Sequence, residues 1–226
     1  STRKLKFTVT ELKKRAHEIA MDHSLEEEAQ EELLYEEPEV TPLIPTFMQK
    51  EEGLTGAPRG TAYHRIMELL AFEGPEPDSI EAVAEWIDGM AASGKIEKEA
   101  AECVKAYDIF RFLETSSGKR MKKAAKSQKL WKEQPFVLGI NAKELYPEEE
   151  DGELILVQGI IDAYFEEEDE LVVLDYKTDR VRKAEELVEK YQEQLRYYAK
   201  ALEQMTGKKV KEKIIYAFSL GKEIRI

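Results

Sequence analysis

The chain has 226 residues, of which 42% are hydrophobic and 36% are charged, and its formal net charge at pH 7 is −13. This length suffices for one well-packed hydrophobic core, and the composition is that of a globular protein. The negative charge argues against broad, sequence-independent binding of nucleic acid, which depends on a basic surface. No apolar run approaches the roughly 18 residues of a membrane helix, and no secretory signal is present.

The cysteine content and the first residue bear on the cellular setting and on what the chain is attached to. Cys103 is the single cysteine, which excludes an intrachain disulfide and any site built from four cysteines. We therefore expect a reducing, cytoplasmic setting. Because the chain begins at Ser1 rather than at a methionine, we expect it to be a piece of a longer protein.

The first 53 residues are predicted to form a helix followed by an acidic arm. Phe7 to Met21 has the pattern of a capped helix. From Ala16 to Gln49 there is no lysine or arginine and many glutamates, which is typical of a solvated linker. We therefore predict two parts, an N-terminal helix and arm over residues 1–53 and a compact domain over residues 54–226.

The next stretch is predicted to be helical. Thr61 can cap a helix that runs to about residue 72, with its apolar stripe facing a core. That stripe leaves His64 and Glu68 together on another face, one turn apart. Ser79 to Ala92 and Ile96 to Glu114 have the periodicity of two further amphipathic helices.

A basic segment follows. Thr115 to Lys132 contains seven lysine or arginine residues and no acid, so it could follow a phosphate backbone. An exposed lysine-rich helix without a binding role explains the same composition equally well. The candidate substrate-binding residues in this segment are Lys119, Arg120, Lys122 and Lys123.

The remainder of the chain is predicted to contain strands and one long helix. Apolar, β-branched runs that we assign to strands are 130–140, 154–165, 171–176, 210–220 and 223–226. Ala184 to Met205 is a helix whose apolar stripe includes Tyr191 and Tyr198, and Gly207 closes it. Gln194 lies on the flank of that stripe. The order of elements predicts an α/β fold, a mixed central β-sheet flanked by helices.

The hairpin formed by the second and third strands carries the most informative charges in the chain. A two-residue loop at Glu168 and Asp169 would place Asp162 directly opposite Asp175, with Cβ atoms roughly 4.5–5.5 Å apart. A bare pair of like charges there is destabilising. Strand alternation returns Lys177 to the same face as Asp175.

A cation can offset this charge pair. Converging carboxylate oxygens suit a hard divalent ion such as Mg²⁺, beside which Lys177 could hold a water or a phosphate oxygen. The alternative is a surface hairpin with an ordinary salt bridge from Lys177 to an aspartate. The apolar neighbours Ile160, Ile161, Val173 and Leu174 weigh against that alternative, because acids within such strands are rarely incidental.

These residues resemble a known family, the RecB-type PD-(D/E)xK nuclease superfamily with its restriction-endonuclease-like core. Within it, the chain is most similar to the C-terminal nuclease domains of AddA-type subunits of bacterial AddAB helicase–nucleases. The motifs occur in the family's order. They are Gly60-Thr61-Ala62-Tyr63-His64 with Glu68, Glu133-Gln134-Pro135-Phe136, Gln158-Gly159-Ile160-Ile161-Asp162, Asp175-Tyr176-Lys177-Thr178-Asp179 and Gln194-Leu195-Arg196-Tyr197-Tyr198.

The resemblance implies roles for single residues. The metal ligands would be His64, Asp162, Asp175 and the backbone carbonyl of Tyr176, and the catalytic lysine would be Lys177. Mg²⁺ would be the cofactor, with Mn²⁺ or Ca²⁺ possible at the same site.

Three further residues receive roles by resemblance. Glu133 would be an acid of the catalytic site, and Gln194 and Tyr198 would position the DNA strand or brace the lysine. Some members of the superfamily carry four cysteines for an iron–sulfur cluster, and with Cys103 alone that cluster cannot form here.

The implied function is a metal-dependent deoxyribonuclease acting as an exonuclease on single-stranded DNA. The DNA would be fed by an ATP-dependent helicase in the N-terminal part of the same polypeptide, which works with an AddB-like partner in double-strand-break processing and recombinational repair. Two alternatives stay open. One is a free-standing DNA exonuclease, and the other is a catalytically idle docking or regulatory module that keeps the nuclease fold.

Overall fold

The computed structural model describes residues 6–8, 57–72, 77–141, 143 and 154–226. The helices with described bounds are α1 (Ala57–Leu69), α2 (Ile80–Ala92), α3 (Lys98–Glu102), α4 (Ala106–Leu113), α5 (Ser116–Lys126) and α6 (Ala184–Thr206). The strands are β1 (Lys6–Thr8), β2 (Leu130–Asn141), β3 (Leu154–Glu167), β4 (Glu170–Lys177), β5 (Val210–Ala217) and β6 (Lys222–Arg225). Among the described helices, none is long and apolar enough to cross a membrane.

The chain divides into two compact units. One comprises Ser1–Lys50 with Val137–Gly159, and the other Glu51–Phe136 with Ile160–Ile226. All residues that the sequence assigns to the catalytic and metal sites belong to the second unit. The predicted boundary between residues 53 and 54 falls outside the described residues and stays a prediction.

The first unit contains a short parallel pairing near the N-terminus. Strand β1 runs parallel to the beginning of β3, with Phe7 opposite Val157 and Thr8 opposite Gln158. The predicted helix from Phe7 is therefore wrong at its start, where the aromatic Phe7 and the β-branched Thr8 favour a strand. The rest of that predicted helix and the acidic arm lie outside the described residues.

The second unit is built on a mixed sheet. Strand β4 pairs antiparallel with β3 and parallel with β5, and β5 pairs antiparallel with β6. Strand β2 also pairs with β3. The predicted mixed sheet is confirmed.

Helices cover both faces of this sheet because successive strand residues point to opposite sides. On one face, Leu174 and Tyr176 belong to a core cluster shared with α1, α2, α4 and α5. On the other, Ile215 and Ala217 pack with Leu187, Tyr191 and Leu195 of α6. The α/β class with flanking helices is therefore confirmed.

The hairpin between β3 and β4 has the predicted loop. Glu168 and Asp169 both have positive φ, 52° and 69°, as the two central residues of a type I′ turn require. Paired residues run from Glu167 opposite Glu170 to Ala163 opposite Leu174. This is the predicted register, and Asp162 and Asp175 occupy the next position beyond the last pair.

Two helix predictions need correction. Helix α1 begins at Ala57 rather than Thr61, because Pro58 is tolerated in a first turn, where its missing N–H has no partner to lose. The predicted helix from Ile96 to Glu114 is two helices, α3 and α4. Between them, the Lys105 backbone is extended and its N–H donates to the Tyr63 hydroxyl at 3.2 Å.

Candidate metal centre and active site

The site begins where the β3–β4 pairing ends. Asp162 directly precedes Ala163, the first β3 residue that pairs with β4, and its Oδ2 accepts a hydrogen bond from the Tyr176 backbone N–H at 2.7 Å. The Asp162 side chain thus bonds directly to the backbone of the neighbouring strand β4. This bond fixes the orientation of Asp162, whose side chain is buried.

Helix α1 brings the predicted histidine to the same place. His64 Nδ1 lies 3.3 Å from Asp162 Oδ1, and Nε2 lies 3.1 Å from the Tyr176 carbonyl oxygen. Tyr63, Ile66 and Met67 bury the apolar face of α1 in the core, so His64 is left at the sheet end. The predicted association of His64, Asp162 and the Tyr176 carbonyl is thus present as a set of contacts.

Strand β2 supplies a third donor. In the described part of the chain, His64, Glu133 and Asp162 offer ligand atoms that all lie within 4.8 Å of one another. A nitrogen and two carboxylate oxygens at this spacing suit a divalent cation of the Mg²⁺ or Mn²⁺ type. The sequence assigned Glu133 to catalysis rather than to metal binding, and the geometry allows it either role.

Glu133 has an unusual backbone. Its φ is +47°, a region that non-glycine residues rarely occupy and that costs on the order of 1–3 kcal/mol. Burial, followed by the negative charge of Asp162, raises the pKa of Glu133 to about 7. A carboxyl with that pKa can accept or release a proton near neutral pH.

Asp175 lies apart from this trio and pairs with Lys177. The Asp175 side chain is 0% exposed, and its Oδ2 lies 2.7 Å from Lys177 Nζ. Apart from this ion pair, neither carboxylate oxygen has a hydrogen-bond partner among the described residues. A buried carboxylate with unused lone pairs is costly, and a cation at this end of the sheet would offset that cost.

The charges of the site are strongly coupled. Burial would lower the pKa of His64, but the negative charge of Asp162 raises it to about 9. Burial would raise the pKa of Asp162, but His64 and Lys177 lower it. Burial raises the pKa of Asp175 to about 6, against the opposing effect of Lys177. Three carboxylates thus share two basic partners, and the fit of this donor set to a divalent cation rests on that excess.

Helix α6 places the predicted glutamine and tyrosine beside the carboxylates. Gln194 Nε2 donates to the Tyr198 hydroxyl at 2.6 Å, and the Tyr198 ring meets Phe136 edge to face at 5.7 Å. Burial and the charges of Asp175 and Asp162 raise the pKa of Tyr198. Both side chains therefore lie near the acids, while their roles toward DNA stay predictions.

The basic segment has several internal partners. Arg120 forms ion pairs at 2.7 Å with both Glu167 and Glu212. Lys119 pairs with Glu114 at 3.1 Å. Lys132 donates to the carbonyls of Glu68 and Leu70 at the end of α1, where a cation is favourable to the helix dipole.

Lys122 and Lys123 lie on α5, where Lys123 is exposed. The assignment of this segment to DNA binding stays a prediction. The guanidinium of Arg120, however, is already engaged by two carboxylates.

Sequence reasoning missed the neighbours of Lys177 on α6. The Tyr191 ring lies 4.3 Å from Lys177 Nζ, and the Tyr191 hydroxyl bonds Asp179. Tyr191 was assigned to the apolar stripe of the helix, and its helical spacing gives no sign of a second role. A tyrosine three residues before Gln194 on the same helix is the only signal that could have indicated it.

The comparisons with known proteins agree with this geometry. The family model of the PD-(D/E)XK nuclease superfamily matches residues 14–223. The relative from Lachnoclostridium phytofermentans is 38% identical over 222 residues, which cover 83% of this chain and 16% of that protein. The relative from Thermoanaerobacter sp. strain X514 is 40% identical over 221 residues, covering 96% and 17%.

A third relative, from Acetivibrio thermocellus, is 40% identical over 226 residues, covering 96% of this chain and 16% of that protein. All three carry the name of the same subunit of an ATP-dependent helicase/nuclease. The chain spans 16% to 17% of the length of these curated relatives. The resemblance to AddA-type subunits is confirmed, and the match over residues 14–223 shows that this chain belongs to the PD-(D/E)XK nuclease superfamily.

Proposed function

We propose that this chain is the metal-dependent DNA nuclease domain of a helicase–nuclease. The observation that carries the proposal is the meeting of His64, Glu133 and Asp162 within 4.8 Å, beside the Asp175–Lys177 ion pair. These donors come from α1, β2, β3 and β4, so several elements converge on one end of the sheet. The reaction is hydrolysis of a DNA phosphodiester bond.

The acids and the histidine would hold a cation, and the lysine acts on the water. His64, Asp162 and Asp175, with the Tyr176 carbonyl, would bind Mg²⁺ or Mn²⁺, which would supply Lewis acidity toward the phosphate and the attacking water. Lys177 orients that water and offsets negative charge that grows on the phosphate. Glu133 takes or gives a proton at the edge of the site, which its raised pKa permits.

The substrate is single-stranded DNA delivered by a motor. The names of the relatives combine a helicase and a nuclease, and this chain covers about a sixth of their length. We infer that the DNA is fed from an ATP-dependent helicase portion of the same polypeptide, which works with an AddB-like partner. Delivery by a motor also explains how a chain of net charge −13 can act on a polyanion. Double-strand-break end processing and recombinational repair are the setting.

Substitution of a single carboxylate in the complete helicase–nuclease tests the proposal. In Asp175→Ala we expect Mg²⁺-dependent degradation of single-stranded DNA to be lost while DNA-stimulated ATP hydrolysis continues. Asp88→Asn, on an exposed position of α2, is the matched control and should cleave like the wild type. Unchanged cleavage by Asp175→Ala would contradict the assignment of this chain as the nuclease domain.

Two further measurements separate the alternatives. Robust end-dependent cleavage by the isolated 226-residue chain would favour a free-standing exonuclease. Calorimetric titration with Mn²⁺ that shows no binding, or binding unaffected by Asp162→Asn, would favour the idle docking module.

A further inference from the structure

The predicted catalytic lysine contacts both an acid and an aromatic ring. Lys177 is the last residue of β4, and its backbone carbonyl accepts a hydrogen bond from the Phe218 N–H at 2.9 Å. Its Nζ lies 2.7 Å from Asp175 Oδ2 and 4.3 Å from the centroid of the Tyr191 ring. The lysine side chain is 11% exposed, so most of its surface is covered by such neighbours.

The Tyr191 ring is itself held from its far end. The Tyr191 hydroxyl lies 3.0 Å from both carboxylate oxygens of Asp179, and Asp179 also forms an ion pair with Lys190. The Asp179 carbonyl accepts a hydrogen bond from Ser219 Oγ at 2.6 Å. Tyr191 is therefore anchored at its hydroxyl, and its ring contacts Lys177 at 4.3 Å and, more distantly, Lys190 at 5.1 Å.

The protonation of these groups supports the anchor. Burial and the neighbouring Asp179 raise the pKa of Tyr191, so the phenol keeps its proton and donates it to the carboxylate. Burial would raise the pKa of Asp179, but hydrogen bonds from Lys190 and Tyr191 lower it. An ionised acceptor and a neutral donor make a strong hydrogen bond.

A lysine at a strand end needs such support. Its four-carbon stem has many rotamers, and the carboxylate alone fixes only the distance of the ammonium from Asp175. A ring in contact with the ammonium adds cation–π attraction. It also limits the directions in which the stem can swing. The contact therefore selects one arrangement of the lysine.

We propose that Tyr191 is a positioning residue whose ring holds the Lys177 ammonium beside Asp175, with Asp179 fixing the ring. The proposal rests on the proposed function, in which Lys177 acts on the attacking water. It assigns to α6 a part in the site that is separate from that of Gln194 and Tyr198. The ring, rather than the hydroxyl, is the element that contacts the lysine.

A pair of substitutions separates the ring from the hydroxyl. Tyr191→Phe keeps the ring and removes the bond to Asp179, whereas Tyr191→Leu removes the ring. In the complete helicase–nuclease we expect Tyr191→Phe to keep kcat within about threefold of wild type. We expect Tyr191→Leu to lose about tenfold or more in kcat with KM unchanged, because a small displacement of a catalytic group is costly. Tyr191→Met serves as a second ring-deleted variant if Tyr191→Leu unfolds, and thermal unfolding verifies the fold of each.

A spectroscopic readout tests the contact without DNA cleavage. Protons on the ε-carbon of Lys177, identified by their loss in Lys177→Ala, should show an upfield ring-current shift in the NMR spectrum of the 226-residue chain. The shift should persist in Tyr191→Phe and disappear in Tyr191→Leu and Tyr191→Met.

The outcomes distinguish a failure of the proposed function from a failure of the role assigned to Tyr191. Full cleavage by Lys177→Ala contradicts the proposed function. Loss of cleavage in Lys177→Ala with full kcat in a folded, ring-deleted variant overturns the role of Tyr191 alone. An equal loss in Tyr191→Phe and Tyr191→Leu, or the absence of a ring-current shift in the wild type, also overturns it.

Discussion

At the turn end of the β3–β4 hairpin, Glu166 and Glu167 each meet two basic side chains, whereas at the open end three carboxylates share two basic partners. Glu166 forms ion pairs with Lys129 and Lys208 at 2.6 and 2.8 Å, and Glu167 pairs with Arg120 at 2.7 Å. At the open end, Asp162, Asp175 and Glu133 share His64 and Lys177. The same two strands thus carry well-paired acids at one end and acids with fewer basic partners at the other.

The carboxyl pKa values follow this difference. Hydrogen bonds from basic side chains lower the pKa of Glu166 and of Glu167. Burial instead raises the pKa of Asp175 to about 6 and that of Glu133 to about 7. Glu166 and Glu167 therefore stabilise the fold, while Asp175 and Glu133 at the open end hold unfavourable charge that a bound cation would relieve.

The largest expected effect is on catalysis at the open end. Asp162→Asn removes a charge from the donor set, and we expect DNA cleavage to fall by at least about a hundredfold, since a cation contributes several kcal/mol to the transition state. Single-turnover cleavage assays at saturating Mg²⁺ measure this. Mn²⁺ affinity, measured by calorimetry, should fall as well. Cleavage by Asp162→Asn within a few-fold of wild type would contradict the prediction that the open end of the hairpin is the catalytic end.

The next effect is on stability at the turn end. Arg120→Met leaves Glu167 and Glu212 without their main partner, and we expect the free energy of unfolding to fall by about 2 kcal/mol. Urea denaturation of the 226-residue chain measures it. Arg65→Met, which breaks an exposed pair with Glu68, is the control and should cost less than about 1 kcal/mol. A larger loss in the control than in Arg120→Met would contradict the comparison.

The third prediction concerns the pH dependence of the difference in stability between wild type and Arg120→Met. Arg120 lowers the pKa of Glu167 and of Glu212 in the folded protein. Their contribution is therefore fully present above the carboxyl pKa of the unfolded chain and is lost as pH falls through the lower folded pKa. We expect the stability gap between wild type and Arg120→Met to be constant near pH 7 and to shrink below about pH 4. A gap that stays the same as the pH falls would show that the packing of Arg120, rather than its charge, is what matters.

The smallest effect is a gain of stability at the open end. Because burial raises the pKa of Asp175 to about 6, its ionised form opposes folding above that pH. In the absence of divalent ions, Asp175→Asn should stabilise the 226-residue chain by about 1 kcal/mol at pH 8. At pH 4, where Asp175 is protonated in the folded state, the gain should be much smaller. Equal gains at both values would show that charge is not its origin.

Prediction from sequence succeeded where local rules apply. The two-residue loop at Glu168 and Asp169 and the register of the hairpin follow from the polar stretch between two apolar runs and from the length of the loop. The end of α6 at Gly207, which has φ +70°, follows from the preference of glycine for that conformation. The beginning of α1 did have a local signal, Pro58 in the first turn. The break between α3 and α4 could not be found in this way, because it involves a nonlocal hydrogen bond from the Lys105 N–H to the Tyr63 hydroxyl.

The sequence by itself therefore determined that two aspartates and a lysine share one end of a hairpin, because strand period and turn length are local properties. Only the tertiary structure decided their environment. His64 lies on α1 and Glu133 on β2, and Tyr191 contacts Lys177 from α6. Burial by these elements changes the pKa values of the acids. Desolvation and long-range contacts depend on packing, and no local pattern in the chain encodes them.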